Sequence, residues 1–169
     1  MATIDLPNNI LEALSTVLQQ LQQSLPEVKQ APDFSAIAFK WENGELKAIH
    51  QLKRIELNDL KGIERQKEKV LQNTEQFLNG LPANDVLLTG SRGTGKSSIV
   101  RALLTEYAEQ GLRLIEIERD DLSELPEIQK LIAERPEKFI VYCDDLAFNA
   151  EDENYRSLKS VLDGSLQSG

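Results

Sequence analysis

Residues Gly90-Ser91-Arg92-Gly93-Thr94-Gly95-Lys96-Ser97 follow the pattern G-x-x-x-x-G-K-S. No other stretch constrains the fold as tightly. Glycines at these spacings let backbone N–H groups turn inward without Cβ clashes, and inward N–H groups make an anion cradle. The apolar run Val86-Leu87-Leu88 precedes the loop and reads as a short buried strand. The run from Ser98 to Gln110 follows it with helical periodicity. The loop therefore stands where a phosphate-binding loop should, after a strand and opening a helix whose positive dipole end adds to the cradle. Lys96 is placed to reach the β- and γ-phosphates, and the Ser97 hydroxyl to ligate Mg²⁺. Ser98 completes the loop. Arg92, inside it, has both phosphate contact and solvent exposure open to it.

The remaining chain is that of an ordinary globular domain. It has 169 residues, 40% hydrophobic and 28% charged, enough for a real core. The net charge of −9 argues against general binding to nucleic acid or to anionic membranes. A lone cysteine, Cys143, lies in an apolar run, so no disulfide framework is expected and a reducing compartment is. With no apolar run of membrane-spanning length and no basic segment leading an apolar one at the N-terminus, the expected location is the cytoplasm.

In chain order, Ile10 to Leu25 predicts an amphipathic helix, apolar at Ile10, Leu11, Leu14, Val17, Leu18, Leu21 and Leu25 and glutamine-rich opposite. Packing on its own domain is the favoured role, a partner contact the alternative. Ala36 to Leu52 predicts a hairpin about a type I′ turn at Asn43-Gly44. That register sets Trp41 opposite Leu46, Phe39 opposite Ala48 and Ile37 opposite His50, all on one face. The single histidine then reads as a hairpin residue rather than a catalytic base, and Trp41 as packing. A helix is predicted over Glu64 to Asn79, buried at Val70, Leu71, Thr74, Phe77 and Leu78. There follow a strand at Asp85–Thr89, the loop, and a helix from Lys96 to Gln110 buried at Ile99, Val100, Leu103, Leu104 and Tyr107. Gly111 is a natural C-cap. Then come a strand at Leu112–Ile117, a short helix from Pro126 to Glu134, a strand at Phe139–Cys143 and a final helix from Asp152 to Leu162. Apolar strands alternating with helices predict an α/β fold with a parallel sheet and helices on both faces.

Phe139–Cys143 ends in Asp144-Asp145. A buried strand ending in acids, two strand–helix units after a phosphate loop, looks like a Walker B strand. Ligands of such sheets bind at the carboxyl ends of the strands, where both motifs lie. Asp144 is the candidate Mg²⁺ holder, through water, and Asp145 the candidate group for polarising an attacking water. A turn-forming Asp pair is the plainer alternative.

Together, Gly62-Ile63-Glu64-Arg65-Gln66-Lys67, Val86 to Gly90, Arg92 to Ser98, Leu114-Ile115-Glu116 and Cys143-Asp144-Asp145-Leu146 resemble a bacterial family of AAA+ ATPases. The likeness extends to Trp41 and to Leu162-Asp163-Gly164-Ser165. The Asp pair is also similar to that of replication initiators and helicase loaders. The resemblance implies an ATP-binding AAA+ P-loop NTPase module over 56–169. It also implies an N-terminal extension over 1–55, with Leu60, Gly62 and Ile63 near the adenine. Such modules work as ring or helical homo-oligomers, in which a neighbour's arginine finger completes the site in trans. The protein client is not legible.

The AAA+ sheet has strand order 5-1-4-3-2. The fourth and fifth strands, the sensor, the arginine finger and the lid would all follow Gly169. On this reading the chain is expected to be a partial module that binds ATP without appreciable hydrolysis. Its loop-bearing strand would have no neighbour on either side. Order 2-3-1, that of nucleotide kinases, would make the three strands self-sufficient and allow a small P-loop kinase. A nucleotide-gated binding module is a third possibility.

Overall fold

The computed structural model describes residues 8–24, 31–91 and 93–144. The helix expected over Asp152 to Leu162 lies outside them, as do Arg92 and Asp145. The chain divides into two compact units, Met1–Ala31 and Pro32–Gly169. In the first, helix α1 spans Asn8–Ser24, and its Ile10, Leu14, Val17 and Leu18 are exposed.

The second unit is built on one mixed four-stranded sheet. Strands β1 (Ala38–Glu42) and β2 (Glu45–Ile49) form the hairpin, and β3 (Leu112–Ile117) and β4 (Lys138–Cys143) follow, in the order β2-β1-β3-β4. Asn43 and Gly44 have φ of 56° and 72°, the left-handed pair a type I′ turn demands. Trp41 faces Leu46 and Phe39 faces Ala48, the register read from the turn. The Ile37–His50 pair is not part of the ladder: pairing begins at Ala38, Ile37 packs on the opposite face, and His50 is exposed 3.6 Å from Asp33.

The hairpin is not a preamble to a purely parallel sheet. β1 runs parallel to β3 with Ala38 opposite Leu114, so the sheet is continuous across hairpin and α/β core. Without β1, the inner edge of β3 would be a row of unpaired N–H and C=O groups.

Period-two alternation builds two cores on that sheet. Phe39, Trp41, Ile115 and Ile117 point to one face, packed against Leu122, Leu125 and Ile128 from the 3₁₀ turn Arg119–Glu124 and helix α4 (Leu125–Ile132). Ala38, Leu112 and Leu114 point to the other, packed against helices α2 (Glu64–Leu78) and α3 (Lys96–Tyr107). The predicted α3 stripe is buried at all five positions. Tyr107 hydroxyl donates to Glu75 Oε1 at 2.8 Å and ties α3 to α2. Helices thus cover both faces, as expected.

The largest departure is at Asp85–Thr89, which forms no strand. Val86 and Leu87 are 50% and 74% exposed, and Leu88 alone packs on the α3-side core. An isolated apolar run cannot satisfy its backbone without a paired neighbour. Among the described residues β4 pairs only with β3. Order 2-3-1 would set the loop-bearing segment beside β4; here it is not paired there. The adjacency of β3 and β4, which both expected orders share, is present.

Candidate functional site

The site lies where the loop 90–97, the first turn of α3 and the carboxyl end of β4 converge. Gly95 precedes α3 with φ of 88°, a left-handed conformation that favours glycine. A Cβ on Gly95 would stand 3.7 Å from Ile63 Cδ1, so Ile63, at the N-terminus of α2, borders the loop. Gly90 is equally restricted: its φ is 148°, and a Cβ there would meet Thr94 Oγ1 at 3.0 Å. That hydroxyl staples the loop by donating to the Ser91 carbonyl at 2.8 Å. The first helical bond runs from Ile99 N–H to the Gly95 carbonyl. The N–H groups of Lys96, Ser97 and Ser98 open the helix and have no intrahelical acceptor, which suits them to an anion.

Lys96 Nζ donates to the carbonyls of Gly90 and Ser91 at 2.8 and 3.0 Å. The ammonium is thereby folded over its own loop, on acceptors that a phosphate oxygen would better as partners. Gly90, Ser91, Gly93 and Thr94 are exposed, and Gly95, Lys96, Ser97 and Ser98 half-buried. The segment before α2 is tied down by Lys67, whose Nζ donates to the carbonyls of Leu57 and Leu60. Glu64 accepts from the Gly62 N–H at 3.0 Å. Backbone N–H donors, its own and that of Gly62, hold the Glu64 carboxyl below the usual carboxylate range.

β4 supplies the rest. Its alternation sends Tyr142 to the α3 face and Phe139, Val141 and Cys143 to the other. Tyr142 hydroxyl donates to Ser97 Oγ at 2.9 Å, and Ser97 donates to Asp144 Oδ2 at 2.7 Å. Residues 47 apart in sequence are thus joined through one hydroxyl. Burial pushes the Tyr142 phenol up to about 12; the Ser97 contact pulls it down, and a hydrogen bond to Asp144 and the charges of Asp144 and Glu116 raise it further. Burial, with Asp144 adjacent, lifts the Cys143 thiol to about 11, which leaves it a poor nucleophile at neutral pH.

Sequence reasoning did not single out Tyr142. Its signal was parity: two residues before Asp144 on a strand places it on the same face, and the first turn of α3 covers that face.

Ser97 and Asp144 are hard oxygen donors of the kind Mg²⁺ takes. Among the described residues no group of three or more His, Cys, Asp or Glu could hold a metal alone. The donor set suits an ion that keeps waters and draws further ligands from phosphate. A separate cavity of about 270 Å³ lies on the α3 side of the sheet, lined by Ala38, Ile49, Leu52, Val100 and Leu114, with Tyr142 at its border with the site.

An α/β sheet flanked by helices, with a glycine loop at a helix N-terminus beside a strand-end aspartate, is compatible with the P-loop NTPase-like class of folds. Residues 34–169 match the model of a family described as "Protein of unknown function (DUF815)". The chain belongs to that DUF815 family. A stretch of 52 residues is 36% identical to the replication factor C large subunit of Methanococcus maripaludis. It covers 31% of this chain and 11% of that protein, so the chain spans a small part of that relative's length. No solved structure matches the chain.

Proposed function

We propose that the chain is a nucleotide-binding AAA+ module that takes ATP with Mg²⁺. The observation that carries the reading is the Ser97–Asp144 contact of 2.7 Å at the mouth of the glycine loop. The loop residue typed for a metal and the strand-end acid typed for its waters come together from separate elements. The local likeness to replication factor C large subunit supports the AAA+ assignment.

On this reading Gly90, Ser91, Gly93, Thr94, Gly95 and the N–H groups opening α3 surround the phosphates. Lys96 leaves the Gly90 and Ser91 carbonyls for the β- and γ-phosphates. Ser97 and Asp144 hold the cation and its waters, and Ile63 flanks the base. When bound, Mg²⁺ would neutralise charge on the phosphates. Arg92 would contact phosphate and Asp145 would orient the attacking water. Hydrolysis is proposed for an oligomeric form in which a neighbouring subunit supplies an arginine, in the cytoplasm, on behalf of a protein client.

The test is binding of a fluorescent ATP analogue to the purified chain. Saturable binding with Mg²⁺, competed by ATP and weakened at least about tenfold by Lys96→Ala, is the expected result, since one lost charge-assisted bond to phosphate is worth about 1.5–3 kcal/mol. Binding that Lys96→Ala leaves unchanged would overturn the reading.

A further inference from the structure

The Ser97 hydroxyl has one proton and two lone pairs. In the structure the proton goes to Asp144 Oδ2 and one lone pair accepts from the Tyr142 hydroxyl. One lone pair remains, and no other hydrogen bond to this hydroxyl is present among the described residues. A serine hydroxyl otherwise rotates among staggered positions and spends its lone pairs on whatever donor is near. With two of its three valences fixed by Tyr142 on β4 and Asp144 just after it, the orientation of the third is fixed as well.

We infer that Tyr142 is a positioning residue for the cation: its hydroxyl, held on the α3 face of β4, locks the Ser97 hydroxyl with its proton on Asp144 and one lone pair free for Mg²⁺. The inference rests on the Mg²⁺-nucleotide reading above. It assigns a specific job to a residue that neither the glycine loop nor the acid pair contains. Tyr142 is half-buried between α3 and the cavity beside Ala38 and Leu114, so its ring is placed by packing and only its hydroxyl by the site.

The competing explanation is that a half-buried phenol merely satisfies itself on the nearest acceptor. The two differ in what the hydroxyl does for the cation. Tyr142→Phe keeps the ring and removes the donor. The full chain is titrated with Mg²⁺ at fixed fluorescent ADP, and separately with ADP in EDTA. Tyr142→Phe is expected to raise the half-saturating Mg²⁺ about two- to tenfold, the size of one neutral hydrogen bond, and to leave the EDTA affinity unchanged.

Ser97→Ala and the double variant complete a cycle. If Tyr142 acts through Ser97, Tyr142→Phe adds nothing in the Ser97→Ala background. Any additive loss of stability cancels in the same comparison. A Tyr142→Phe chain with wild-type Mg²⁺ dependence, or effects that multiply independently in the double variant, would overturn the inference. So would nucleotide binding by the unaltered chain that ignores Mg²⁺, and that result would leave the nucleotide reading standing. Failure of the unaltered chain to bind nucleotide at all would overturn both.

Discussion

Trp41 offers the sharpest test of whether the hairpin is structurally part of the core. Its side chain is 2% exposed, and its indole N–H donates to Glu124 Oε2 at 2.6 Å across 83 residues of sequence. Glu124 is the residue preceding helix α4, so this one bond joins β1 to the layer that covers the Trp41 face of the sheet. Trp41→Phe removes the bond and part of the ring. A hydrogen bond to a charged acceptor is worth about 1.5–3 kcal/mol. Loss of ring area from a filled site adds about 1–2 kcal/mol, for a total of about 2.5–5 kcal/mol. With a urea m-value near 2 kcal/mol/M, the unfolding midpoint should fall by about 1.2–2.5 M.

Glu124→Gln keeps an acceptor oxygen and loses its charge, and should cost about 1 kcal/mol. Urea unfolding followed by far-UV circular dichroism reads both, because Trp41 is the only tryptophan and its fluorescence disappears in the first variant. The hairpin and core should melt in one transition. A midpoint shift below about 0.3 M for Trp41→Phe would refute the claim that this contact binds hairpin to core. A two-step transition, with the hairpin leaving first, would do so equally.

Two further outcomes follow from particular groups. Val86–Leu88 carry no backbone hydrogen bond among the described residues, so their amides should exchange with deuterium far faster than those of Leu114–Glu116 in β3; equal protection would mean that the segment is paired after all. The Tyr107 and Tyr142 phenols are both raised from 10.0 to about 12, chiefly by burial. Since the folded state holds these protons more tightly than the unfolded state, their contribution to stability is whole below pH 10 and is lost as pH rises through about 12. A spectrophotometric titration of tyrosinate should therefore show late ionisation coinciding with unfolding, and normal titration of every tyrosine near 10 would contradict the burial.

Periodicity made most of the scaffold legible. The α3 stripe, β3 and the Asn43-Gly44 turn each follow from a short local rule: apolar spacing at 3.6, spacing at 2, or two residues that tolerate positive φ. Each of these elements finds its partner within the described fold. The hairpin's place in the sheet was not legible, because turn chemistry sets the register of β1 on β2 and says nothing about what β1 meets on its other edge. Parity on β3 explains it afterwards. Leu112 and Leu114 face α3 while Ile115 and Ile117 face α4, so both faces of β3 are apolar and a neighbour carrying Ala38 and Phe39 extends both cores at once.

Asp85–Thr89 shows the opposite limit. An apolar run predicts that a segment wants burial, yet a strand is a relation between two segments, and sequence pattern describes only one of them. The loop that follows this run nevertheless keeps its form. Its geometry depends on local features: left-handed glycines, the Thr94–Ser91 staple, the lysine folded over the loop carbonyls, and the anchoring of α3 on β3 and α2. The cradle is therefore held from its helix side, through Ser97 on α3, Tyr142 on β4 and Asp144 just after β4. It follows that substitutions weakening α3 packing, such as Leu103→Ala in the core beneath it, should disturb the phosphate site more than substitutions in the exposed Val86-Leu87 run that leads into it.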